Sequence, residues 1–158
     1  MAQEAGEAVW LDDDQQRAWR ELAALLTLLP AALDRQLQDE AGLPHVHYMM
    51  LAMLSEAPER TLRMSALART TSVSPSRLSH AVRALEQRGW VERRPSPDDG
   101  RGQLATLTDE GLRAVEAVAP GHAAEVRRRV FADLGPDDVA RLTDLLSRIT
   151  GPLRSAAP

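Results

Sequence analysis

The 158-residue chain has no cysteine and no lysine. Without cysteine there can be no disulfide, no thiolate metal site and no thiol redox sensor. Without lysine all 19 basic residues are arginine, a bias that points to a GC-rich coding genome. No apolar run reaches the roughly 18 residues needed to span a membrane. The opening Met1–Glu7 is acidic and lacks the positive segment and apolar stretch of a secretory signal, so the cytoplasm is the expected compartment. There is no Gly-x-Ser-x-Gly and no His-Glu-x-x-His, and the residues offer no support for an enzyme. Gly100-x-Gly102-x-x-Ala105 superficially matches a dinucleotide fingerprint, but that motif must lead into a helix, whereas here it leads into a strand. No cofactor and no metal are expected, and no internal repeat is evident.

What is present is an ordinary globular composition, 44% hydrophobic and 27% charged, with a length that suits one continuous body. The net charge of −4 is distributed unevenly. Residues 1–59 carry 3 Arg against 11 Asp and Glu, residues 60–101 carry 9 against 4, and residues 102–158 carry 7 against 8. Positive charge is therefore concentrated in the middle of the chain, which becomes the candidate surface for a polyanion.

Apolar residues Ala18, Leu22, Leu25, Leu26 and Leu29 recur at helical spacing and predict a long first helix within Asp12–Glu40, with a kink or break near Thr27–Pro30. A second helix follows Gly42 and Pro44, carries Val46, Met49, Met50, Met53 and Leu54 on one face, and stops near Ala57-Pro58. Thr61–Met64 reads as a short strand, and Ser65 as the cap of a brief helix holding Leu67 and Ala68, closed by a tight turn over Thr70–Val73. Ser74-Pro75 starts the next helix: serine can accept from a free backbone N–H, and proline suits the first helical position. Leu78, Ala81, Val82 and Leu85 form its buried stripe, and Gly89 ends it.

Two extended runs, Val91–Arg94 and Gln103–Leu107, flank a polar stretch and predict a hairpin whose first strand is confined by its prolines to an edge or a short length. Thr108 caps a further helix bearing Leu112, Val115, Val118 and Ala119, with a kink or split expected at Pro120-Gly121 before it resumes through Val126, Val130 and Phe131. Gly135-Pro136 opens a last helix with Val139, Leu142, Leu146, Ile149 and Leu153 along one side. The fold class is mainly α with a small β-hairpin wing.

Short helix, turn, capped helix and basic hairpin together form a winged helix-turn-helix, in which the second helix enters the major groove and the hairpin reaches the neighbouring backbone or minor groove. Arg77 can donate two bonds to a guanine edge, and Ser76 and His80 can reach bases or phosphates. Ser74, Ser79 and Arg83 suit phosphate contacts. On the wing, Arg94 and Arg101 are the cationic candidates, with Arg101 long enough for a minor groove and Asp99 holding it in position.

The stretch from Ser74 through Arg94, followed by Asp99-Gly100-Arg101, resembles the MarR family of bacterial regulators. The likeness includes the Leu85-Glu86-x-x-Gly89 exit of the recognition helix, the Asp-x-Arg wing, and the Leu107-Thr108-x-x-Gly111 approach to the next helix. It implies a helical homodimer in which residues 1–40 and 108–158 form the dimerisation region and 44–107 the winged helix-turn-helix. It further implies a repressor of partly palindromic double-stranded DNA sites, released by a small aromatic or phenolic effector. A winged domain turned to protein-protein interaction is the alternative, motivated by the acidic first segment.

The remaining features carry weaker signals. His45 and His47 resemble a metal pair, but two residues apart on a helix they diverge. His122, placed after an expected helix break, reads equally well as solvated. Trp10, His47 and Met50 are candidates for an effector site, against packing of the methionines in the core and of Trp10 and Trp19 at a dimer interface. Trp90 is expected to anchor the wing to the core.

Overall fold

The computed structural model describes residues 10–71, 74–97 and 99–156, apart from the side chains of residues 75, 99–101, 155 and 156. Helix α1 (Asp13–Ala41) starts at Asp12, whose side chain accepts from the Gln15 backbone N–H while the Gln15 side chain returns a bond to Asp12. It ends at Gly42, whose φ of 57° is the left-handed conformation that glycine adopts without cost. Pro30 lies inside this helix without breaking it. Pro30 is exposed, as is Leu26, whose carbonyl loses its donor, so water can satisfy the orphaned group. Only Ala32, Leu33 and Leu37, all in the second half, are buried.

Helix α2 (His45–Glu56) is the centre of the molecule, with Tyr48, Met50, Leu51 and Leu54 buried and Val46, Met49 and Met53 packed partly against the same core. The expected stripe omitted Tyr48 and Leu51, because a helix apolar on nearly every side has no single face for periodicity to find. After a short 3₁₀ turn over Pro58–Arg60 comes β1 (Thr61–Arg63), then α3 (Met64–Thr71) and α4 (Pro75–Gln87). Helix α3 begins at Met64, so Ser65 stands inside its first turn rather than at the cap, and Thr70 and Thr71 belong to the helix. The rest of the expected turn, Ser72-Val73, lies outside the described residues.

Ser74 caps α4 by accepting from the Arg77 N–H at 3.4 Å, and Gly89 follows the helix at φ 72°. Leu78, Ala81, Val82 and Leu85 are all buried, as their spacing predicted. Strands β2 (Val91–Ser96) and β3 (Asp99–Leu107) form the hairpin, and β1 pairs with the other side of β3, giving the antiparallel order β1-β3-β2. Strand β2 is thus an edge, where Pro95 is tolerated beside a register shift. The strands run closer to the tip than expected, because pairing continues to Ser96 and Asp99.

Thr108 caps α5 (Asp109–Val126), its Oγ1 accepting from the Gly111 N–H at 3.0 Å and donating to the Gly89 carbonyl at 2.8 Å. A Cβ on Gly111 would overlap the Trp90 carbonyl oxygen and lie 2.7 Å from Leu107 Cδ1, so glycine there permits α5 to seat against the wing base. Trp90 packs partly against the core, as expected of an anchor. Helix α5 continues unbroken through the exposed Pro120, contrary to the expected split, and then widens into a π turn over Arg127–Phe131. Last comes α6 (Pro136–Ala156).

One hydrophobic core joins these elements. It contains Leu37 from α1, Val115 from α5, and residues of α2, α3, α4, β2 and β3. By contrast, none of the α6 residues whose side chains are described is buried, and Leu145, Leu146, Ile149 and Leu153 are exposed. Among the described residues no helix is long and apolar enough to cross a membrane.

Candidate nucleic-acid interface

The cap at Ser74 fixes where α4 begins, and burial of Leu78, Ala81, Val82 and Leu85 fixes which side faces inward. The opposite side follows from the helical repeat. Ser74, Ser76, Arg77, Ser79, His80 and Arg83 are all exposed, and among the described residues Arg77 and Arg83 enter no ion pair. The structure therefore brings together the whole expected helical set on one outward surface. Arg94 is also exposed, on the strand that leads to the wing tip. Asp99 and Arg101 belong to β3, but their side chains lie outside the described residues, so the expected pairing of the two does too.

Neighbouring arginines divide into free and occupied. Arg93, the inward-leaning neighbour of Arg94, meets Glu86 of α4 at 2.6 Å, both side chains being about three-quarters covered. This pair ties α4 to β2. Arg60 meets Asp109 at 2.8 Å at the start of α5. Arg88 lies over the Trp90 ring at 4.9 Å and donates to the Gly42 carbonyl at 3.3 Å, which connects the end of α4 to the α1–α2 turn. Arg69 is exposed in the last turn of α3 and was not among the expected contacts. Its place in the basic middle of the chain was the available signal.

The candidates for an effector site are scattered in character. Trp10 is 86% exposed just before α1, Met50 is fully buried in the core, and His47 is half-buried with its Nδ1 unpartnered. Burial lowers the pKa of His47, with the nearby Arg88 charge acting in the same direction. Trp19 is 53% exposed on the outer surface of α1. No group of three or more His, Asp or Glu that could hold a metal occurs among the described residues.

His122 is not a solvated residue after a break. It is partly buried on the continuous α5, with its ring 4.3 Å from Tyr48 and 5.6 Å from His45. Nearby, Glu125 accepts from both Arg128, at 3.1 Å through Nε, and Arg129. Those bonds, Arg129 first, hold its carboxyl below the usual range.

Residues 41–102 match the profile of the MarR family. The chain is similar to a MarR family transcriptional regulator from Streptomyces coelicolor, crystallised in complex with DNA, at 45% identity and a TM-score of 0.86, covering 94% of this chain and 92% of that one. AbsC, a MarR family transcriptional regulator from the same organism, aligns at 39% identity and a TM-score of 0.85, covering 94% and 99% of the two chains. A transcriptional repressor of the helix-turn-helix type from Mycobacterium tuberculosis is 37% identical over 94 residues, 58% of this chain and 66% of the relative. Matches to curated relatives span between 46% and 66% of those proteins' lengths. With sequence identity sustained over nearly the full length of two solved Streptomyces structures, the chain belongs to the MarR family of transcriptional regulators.

Proposed function

We propose that the protein is a sequence-specific DNA-binding repressor that works as a homodimer, reading the major groove with α4 and the adjacent backbone or minor groove with its wing. The observation that carries this reading is the outward face of α4, where Ser76, Arg77, Ser79, His80 and Arg83 are exposed above a fully buried stripe. Arg77 is the base reader, forked to take a guanine edge. Ser74, Ser79 and Arg83 set register on phosphates, and Ser76 and His80 serve either role. Arg94, with Arg101 and its companion Asp99, forms the wing contact. Support comes from the Streptomyces relative, which was crystallised with DNA, and from the mycobacterial one, which is named a repressor.

Dimerisation is supported by surface that one chain leaves uncovered. Helix α6 exposes Leu145, Leu146, Ile149 and Leu153, and α1 exposes Trp19, Leu25, Leu26 and Leu28. Long helices in water owe most of their stability to a buried apolar face, which α6 and the first half of α1 lack within one chain. A second copy supplies it. Residues 1–40 and 108–158 then make the dimerisation region, and 44–107 the DNA-binding lobe. Release by a small aromatic or phenolic effector rests on the family resemblance, and requires that the effector bind the DNA-free arrangement more tightly.

Binding titrations against selected genomic fragments test the reading. Arg77→Ala is expected to relax preference at one base position by about 1–3 kcal/mol, whereas Arg101→Ala weakens all sequences alike and flattens the salt dependence. Absence of salt-sensitive specific binding would favour a protein-interaction module instead.

A further inference from the structure

The junction of α1, α2 and α5 carries a cluster that DNA reading does not use. The His122 ring of α5 packs at a tilt against the rings of Tyr48 and His45 of α2, and Asp34 of α1 accepts the His45 backbone N–H at 2.8 Å. Tyr48 is only 8% exposed, and His122 Nδ1 is buried with no hydrogen-bond partner. Helix α2 is continuous with the core that holds α4, while α5 belongs to the region assigned above to dimerisation. Anything that alters the α2–α5 contact therefore alters how the DNA-reading lobe is set on the rest of the molecule.

Charges around the cluster do not favour a cation within it. From α1, Asp34 faces His45; from α5, Glu125 faces His122 but is already engaged by Arg128 and Arg129; from α2, Glu56 acts on Tyr48. Burial outweighs the carboxylates at both imidazoles and lowers both pKa values, and the nearby His45 lowers that of His122 further. A proton on the buried Nδ1 of His122 would be a donor without an acceptor, and a second imidazole lies beside it. That cost is relieved when the helices part and water enters.

We propose that the His45–Tyr48–His122 cluster is a proton-responsive joint, closed when the imidazoles are neutral and opened by protonation, so that acidification lowers operator affinity by resetting the DNA-binding lobes. The proposal rests on the DNA-binding reading above. DNA binds the closed arrangement and the proton the open one, so each must weaken the other by the same factor. His80 lies on the outward face of α4 that is assigned to DNA, so it is replaced in the comparison below.

The test is operator affinity at constant ionic strength from pH 8 to pH 5.5, in the full-length protein carrying His80→Gln so that the surface histidine does not contribute. Affinity is expected to fall on the order of tenfold on acidification. Adding His122→Phe, which keeps a ring against Tyr48, should flatten the profile to within about twofold while leaving affinity at pH 8 unchanged. Parallel slopes with and without His122→Phe would overturn the proposal. A second measurement needs no cluster variant: the imidazole resonances of His122, followed by NMR, should titrate at lower pH when operator is bound. An unchanged midpoint would overturn the proposal even if the variant failed to fold. No specific binding at pH 8 by the protein with His80 intact would instead overturn the DNA-binding reading itself, and the joint with it.

Discussion

Replacing Gly111 with alanine places a methyl group against the carbonyl oxygen of Trp90 and within 2.7 Å of Leu107 Cδ1. The leucine can turn aside, but the carbonyl cannot, because it accepts the Thr108 N–H at 3.0 Å where the wing meets α5. Forcing extra volume into a packed site costs about 1–3 kcal/mol, and an obstacle made of backbone argues for the upper end. Alanine returns about 1 kcal/mol through its better helix propensity. The expected net loss is about 2 kcal/mol, which for a domain of this size lowers Tm by roughly 4–8 °C. Calorimetry or circular dichroism at neutral pH reads it directly. An unchanged or raised Tm would refute the close seating of α5 on the wing base.

Glu86→Gln should cost about 1 kcal/mol, read by urea unfolding, because its pair with Arg93 is largely covered and ties α4 to β2. Removing Asp144, whose pair with Arg148 is exposed at 3.7 Å, should change stability by less than about 0.5 kcal/mol. Stability should also fall on acidification. His45, His47 and His122 have pKa values lowered in the folded chain, chiefly by burial, so the unfolded chain takes up protons first. Stability is therefore complete above about pH 6.5 and is lost progressively below it. Glu125, lowered by Arg129 and Arg128, extends the loss into the carboxylate range. Denaturation midpoints at pH 8 and pH 5.5 that coincide would contradict this sign.

Much of the site was legible because its signals are local. The Ser74-Pro75 start, the four-residue apolar stripe and Gly89 each act through one helix, so they fix the outward face of α4 without knowledge of the rest. The Thr108 cap follows for the same reason, and of the two options the prolines left open for β2, an edge place or a short length, the structure takes the edge. What could not be read depends on partners distant in sequence. Pro30 and Pro120 look like breaks, but both occupy exposed positions where water can take the lost hydrogen bond. His122 looks solvated until α5 is laid against α2, and Tyr48 and Leu51 join the core because α2 is surrounded. The Glu86–Arg93 pair likewise appears only when the wing folds back on α4. The MarR resemblance drawn from the α4 and wing motifs extends well beyond them, since the Streptomyces structures cover 94% of the chain.

Hydroxyl-radical footprinting on a bound genomic fragment addresses the central claim most directly, since it maps where the proposed pair of α4 helices would approach the duplex. Two protected windows on one DNA face, with centres roughly 34 Å apart and related by a two-fold axis, are the expected result. A single isolated window, or protection unaltered by Arg77→Ala, would contradict it.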